Sequence, residues 1–166
     1  MSTPLPQTAT TGYPVVMGST PRSIRFDEQV LAQLDRYVRE HPGSSISSVA
    51  NMFIDESLRA HEHPGIVFRP GPTGRRAGLA AGPDVWEVIA ALHAIKAESP
   101  DLAGDELTQA LAVSTGLHHR AIVIALRYYA AYPEEVDERI AANQAVAEQE
   151  ERLWQAEQVI LRRRVA

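Results

Sequence analysis

The sequence predicts a mainly α-helical protein: a short strand and two helices, then a small β-hairpin, then a helix-turn-helix-like helical domain that ends in one long helix. Three observations lead there. Apolar residues recur at three- and four-residue steps through most of the chain, the spacing that gathers them on one helical face. Two short stretches, Ser23–Phe26 and Ile66–Arg69, depart from that rhythm and read as strands. Pro-, Gly- and Ser-rich punctuation at residues 41–45, 63–65, 70–74, 99–101 and 114–116 separates the elements.

Residues 1–20 are rich in Thr, Ser, Pro and Gly with few large apolar side chains, too few to offset the entropy of ordering, so a flexible tail is expected. In a strand over Ser23–Phe26, Ile24 and Phe26 share one face and Ser23 and Arg25 the other. Asp27 is placed to cap a helix whose stripe is Val30, Leu31, Leu34, Tyr37 and Val38. His41-Pro42-Gly43 stops it, because proline cannot continue the ladder and glycine accepts a left-handed turn. Ser45 or Ser47 can cap a second helix carrying Val49, Ala50, Phe53, Ile54 and Leu58. A lone strand leaves both backbone edges open, and fewer than about forty residues rarely bury enough apolar area to fold alone. A second copy meets both needs. Two strands pair antiparallel, the helices interlock beneath them, and the ribbon carries Ser23 and Arg25 twice on its outer face.

This order and punctuation, over Pro21–Leu58, resembles the ribbon-helix-helix family of bacterial repressors. The resemblance implies a homodimer, over residues 21–60, whose ribbon enters the major groove of operator DNA. Pro21, Ser23 and Arg25 match outward ribbon positions that read base edges, with Arg22 beside them where an inward apolar residue is common. Gly43–Ser47 matches the turn before the second helix, so Ser45, Ile46 and Ser47 are expected at a phosphate, where free amides and the helix dipole favour an anion. Pro21 offers no side-chain donor, so base readout rests mainly on Arg25, whose guanidinium can grip guanine. The same stretch also fits a dimerisation knot without nucleic acid. Charge disfavours that reading: residues 1–26 hold Arg22 and Arg25 and no acid, while the whole chain is −5.

A pI near 5.7 is unusual for a dedicated nucleic-acid binder, so a DNA surface has to be local and the remainder should face another partner. A hydrophobic content of 45% over 166 residues permits a core and one or two domains. The absence of cysteine excludes disulfides, thiolate metal sites and a cysteine nucleophile. No apolar run has membrane-span length and the start lacks a secretion-signal order, so a cytoplasmic protein is expected. Only Lys96 among the sixteen basic residues is lysine and alanine is abundant, a composition suggestive of a bacterial genome rich in G and C.

Residues 61–83 form the next segment. His61 and His63 invite a metal reading, but no further ligand spacing accompanies them and no metal or cofactor is expected. Ile66–Arg69 and Arg75–Leu79 read as a hairpin around the turn at residues 70–74. The glycines lack the lysine and hydroxyl of a nucleotide loop. Arg69, Arg75 and Arg76 against Glu62 make this segment positive and available to a second phosphate contact.

Residues 84–143 read as three helices and the start of a fourth. Asp84 caps the first, with Glu87 placed for a capping box, and Val85, Val88, Ile89, Leu92 and Ile95 line it beside Trp86. Ser99-Pro100-Asp101 breaks it. A helix from about Asp105 to Val113 buries Leu107, Ala110 and Leu111, Ser114–Leu117 turns, and a third helix runs from His118 to about Ala131. That turn looks like a helix-turn-helix, but Ala121–Leu126 is apolar all round and residues 84–129 hold more acids than bases. A core or a protein interface fits better than a DNA groove, with His118, His119, Tyr128 and Tyr129 at its edges. Pro133 opens the final helix with Glu134, Glu135 and Asp137 near its positive end.

The strings GRRAGLAAGPDVWEV and YYAAYPEEVDERIAAN, within Ile66–Asn143, are similar to a helical family catalogued as domain of unknown function four-three-three. Its members look like VapB-type antitoxins encoded beside toxins of PIN-like nuclease fold, and the resemblance implies such a toxin as partner. Residues 144–166 then form a helical arm. Ala142, Val146, Gln149, Leu153, Ala156 and Ile160 make a narrow apolar seam, with Trp154 and Leu161 beside it. Docking on the toxin through Leu153, Trp154, Ile160, Leu161, Arg162, Arg163 and Arg164 is expected, the arginines entering a carboxylate-lined metal pocket. A dimeric coiled coil or packing on its own domain is the alternative. The sequence thus points to an antitoxin that silences a ribonuclease and represses its own operon. A free-standing regulator with a C-terminal oligomerisation or effector domain is the second reading. No nucleophile–base pair or carboxylate dyad has informative spacing, so an enzyme is not expected.

Overall fold

The computed structural model describes residues 23–71 and 74–162, and Pro21, Arg22, Arg163 and Arg164 lie outside them, as does the expected tail. Its elements are α1 (Glu28–Glu40), α2 (Ile46–Glu62), β1 (Ile66–Arg69), β2 (Arg76–Leu79), α3 (Val85–Glu98), α4 (Gly104–Thr115), α5 (His119–Ala131) and α6 (Pro133–Arg162). Mainly helical with one small antiparallel sheet, the fold has the expected class. Two compact units divide at Gly43/Ser44, inside the stretch that the sequence groups as residues 21–60.

In the first unit Ser23–Asp27 has no regular structure. A ribbon strand is paired by a second copy, so a single chain neither makes nor breaks it. Asp27 stands at the N-cap of α1 with an extended backbone, although its side chain makes no capping hydrogen bond. Leu34 is buried, whereas Val30 and Leu31 on the same stripe stay exposed. At the C-terminal end His41 N donates to Val38 O at 3.2 Å, and the His41 ring stacks on Tyr37 with centroids 3.9 Å apart.

The second unit opens at α2. Of the two candidate caps Ser45 takes the position: Ser48 N donates to Ser45 Oγ at 3.1 Å and Ser45 N to Ser48 Oγ at 2.9 Å, a reciprocal cap. Helix α2 packs on β1. β1 and β2 pair antiparallel with Ile66 opposite Leu79 and Arg69 opposite Arg76, so the return strand starts one residue later than expected. Asp84 N donates to Glu87 Oε2 at 2.8 Å, the expected start of α3. Helix α4 begins at Gly104 and stops at Gly116, whose φ of 69° is left-handed and strains any residue with a Cβ.

One core serves this unit. Ile66 and Leu79 from the hairpin, Val85, Val88 and Ile89 from α3, Leu111 from α4, Ile122, Ala125 and Tyr128 from α5, and Val136 and Ile140 from α6 are all buried. Helix α5 touches α3, α4, α6 and both strands, which is why Ala121–Leu126 is apolar all round, while His119, Arg120 and Arg127 keep the exposed side of the helix polar. At Gly65 a built Cβ comes 2.8 Å from Ile124 Cδ1, so the turn before β1 presses directly on α5. Among the described residues no helix is long and apolar enough to cross a membrane.

Leu111 and Ile122 have no exposed surface. Replacing either by Ala is expected to lower stability by roughly 2–5 kcal/mol, the range for a buried aliphatic side chain lost to a cavity. Urea denaturation of the two variants measures it.

Candidate DNA edge and partner-docking arm

The residues expected at DNA fall in two places. Ser23 and Arg25 are exposed in the first unit, with Ile24 beside them 65% exposed. Ser45 caps α2, and Ile46 and Ser47 form its first turn, where the leading amides of a helix have no intrahelical acceptor. Ser45 Oγ accepts from Ser48, which leaves the Ile46 and Ser47 amides as the donors for an anion.

The positive hairpin is committed internally. Arg69 donates to the carbonyls of Leu79 and Gly82, the latter at 2.9 Å. Arg75 Nε donates to Glu56 Oε1 at 2.6 Å and its Nη2 to Phe68 O at 3.1 Å. Arg76 pairs with Asp84, which is 5% exposed. Three guanidiniums that read as a phosphate surface in sequence therefore hold the hairpin to α2 and to the start of α3.

A second polar cluster, which sequence spacing does not indicate, joins three helices. Arg59 of α2 donates to Tyr128 Oη at 3.3 Å and to Glu135, Tyr128 Oη donates to Glu135 Oε1 at 3.0 Å, and the Arg59 guanidinium lies 4.2 Å over the Tyr132 ring. Asp55 Oδ2 is 2.9 Å from Arg59 Nε as an ion pair, off the N–H axis, so that this hydrogen has no aligned acceptor among the described residues. Burial works against the Arg59 charge, but the bonds to Tyr128 and Glu135 outweigh it and hold its pKa above the usual value. Burial, and then the Glu135 charge against an opposing pull from Arg59, raises the Tyr128 hydroxyl. His63 packs edge-on against Tyr128 and Tyr132, at 5.4 and 5.7 Å between centroids, and is a wall of this cluster. Tyr129 donates to Asp137 at 3.0 Å and its ring meets the edge of His93.

Helix α6 starts inside the domain and leaves it. Val136 and Ile140 are buried, Asn143 is half-buried, and of residues 144–162 only Gln158 is half-buried, the rest being exposed. Thirty residues of α-helix span about 45 Å, so the exposed part that carries these apolar side chains is roughly the last 28 Å. Leu153 and Trp154 are 51% and 59% exposed, Ile160 and Leu161 70% and 76%. Arg162 closes the described helix. At the root of the arm a cleft of about 450 Å³ is lined by Trp86, Arg139, Asn143 and Val146 among others. Trp86, placed by the sequence beside the apolar stripe of α3, packs half-buried against the core and lines that cleft.

Neither family models, nor curated proteins, nor solved structures give a match to this chain.

The Tyr128 shift sets a pH dependence. Below about pH 10 the hydroxyl is protonated in folded and unfolded chains alike; above it the unfolded chain ionises first, so the contribution is lost as pH rises. Stability is expected to fall as pH rises above about 10, and less steeply in Tyr128→Phe, as read from denaturation midpoints on either side of that value.

Proposed function

We propose that this protein is the antitoxin of a toxin–antitoxin pair: a dimer whose N-terminal ribbon represses its operon and whose arm binds and inhibits a PIN-like ribonuclease. The observation that carries this reading is the arm. Large apolar side chains at this exposure on a helix that has left its core are characteristic of a helix that docks in a groove. Arg162, with Arg163 and Arg164 following in sequence, brings positive charge to the end of that helix, the complement of a nuclease pocket built from carboxylates. Arg25 supports the DNA half, exposed in the stretch that resembles a ribbon strand. One observation favours the second reading, a regulator that answers to a small effector. An open groove of about 550 Å³ lies between the hairpin end and α5, floored by Leu79, Leu117, Ala121 and Ile124.

Arg25→Ala is expected to lower the preference for operator over scrambled DNA by about 1–3 kcal/mol, the worth of a bidentate base contact, in competition titrations. An unchanged preference sinks the ribbon assignment. Removing residues 153–166 is expected to leave DNA binding intact while freeing the ribonuclease encoded with it. A truncated chain that still neutralises the toxin contradicts the arm reading, and a neighbouring gene without a nuclease favours the effector-responsive regulator.

A further inference from the structure

The arm carries a seam that its own domain leaves uncovered. At about 100° per residue, Val146, Leu153 and Ile160 sit roughly 80–120° around the helix from the buried Val136. A second helix can therefore lie along the seam without meeting the face that packs in the domain. Val146 is 56% exposed and Val159, at the edge of the seam, 58%.

The seam has the register of a coiled coil. Val146, Leu153 and Ile160 repeat every seven residues, and Ala142, Gln149 and Ala156 occupy the alternate positions three residues later or four earlier. Val146 and Ile160 put β-branched residues at the first set, as two-stranded coiled coils do, while the alternate set holds alanine and glutamine in place of leucine. Gln149 meets its own copy when two arms are in register and meets Ala142 or Ala156 when they slip by a heptad, so slipped pairings leave an amide unsatisfied. The flanking charges choose the direction. With the arms parallel, Arg152 reaches Glu157 of the second copy, and symmetry makes the pair twice. With the arms antiparallel, Glu150 faces Glu157 and like charges oppose. Within one chain the Arg152 pair is only an exposed contact with Glu148 at 3.7 Å, a bond that yields readily.

We propose that in the free protein the arms of two copies pair as a parallel two-stranded coiled coil along this seam. Trp154 and Leu161 lie about 60–80° around the helix from Val146, outside the paired face. They stay open to a further partner while the arms are joined. Pairing requires neither DNA nor toxin.

The chain has no cysteine, so single cysteines report the geometry directly in the full-length protein. Val146→Cys and Ile160→Cys, each alone and under mild oxidation, are expected to give disulfide-linked dimers, and Gln155→Cys on the outer face to stay largely unlinked. Adding Glu157→Arg should lower linkage of Ile160→Cys severalfold, and Arg152→Glu in the same chain should restore it. If the single variants do not link but a mixture joins position 146 to position 160, the arms are antiparallel and the proposal is wrong. If the protein sediments as a dimer and neither variant links, the copies join elsewhere, which overturns arm pairing while leaving the ribbon dimer standing.

Discussion

A single guanidinium ties the C-terminal unit together. Arg59 leaves α2 and enters the space between α5 and α6, where Tyr128, Glu135 and the Tyr132 ring surround it. A cation in a half-buried place is costly unless its charge is answered, and here a hydroxyl, two carboxylates and an aromatic face share that task, with the Nε hydrogen alone left without an aligned acceptor among the described residues. The same contacts fix where α6 begins. Because Glu135 lies in the first turn of that helix and Val136 and Ile140 anchor the next, the direction in which α6 leaves the domain is set at its root. The arm inherits it.

The hairpin obeys the same rule at smaller scale. Four-residue strands have few ladder bonds, and Ile66, Ala77 and Leu79 supply the buried apolar contacts. Arg69, Arg75 and Arg76 add cross-links from the hairpin to nearby carbonyls and to Glu56 and Asp84. Arginine suits this work because its planar fork donates in several directions from a long apolar stem. The local excess of positive charge is thus turned inward, and the acidic character of the unit as a whole is what its surface presents.

The arm then stands in contrast to the rest of the chain. Before Asn143 the large apolar residues of α6, Val136 and Ile140, meet a core; beyond it the same helical rhythm continues with no core to meet among the described residues. Two faces continue separately. One, through Trp154 and Leu161, prolongs the side on which Val136 and Ile140 are buried, and the other, through Val146, Leu153 and Ile160, is the heptad seam. A helix with two apolar faces and a net acidic remainder is built for contact on more than one side.

Secondary structure was largely legible in the sequence, because caps, breakers and apolar period are local. The Asp84–Glu87 cap, the Gly116 stop, the hairpin at residues 66–79 and the apolar run Ala121–Leu126 of α5 follow from neighbours within a few positions. The seam of the arm was legible for the same reason. Tertiary structure decided where charge goes: Arg59, Tyr128 and Glu135 are separated by up to 76 residues, and no local pattern announces their meeting. It also decided that Trp86 edges a cleft, that His63 packs on tyrosines, and that the hairpin arginines face carbonyls and carboxylates of this chain. Hydrophobic periodicity repeats along the backbone and so can be read from it, whereas an ion pair or an aromatic wall is fixed only when distant segments pack.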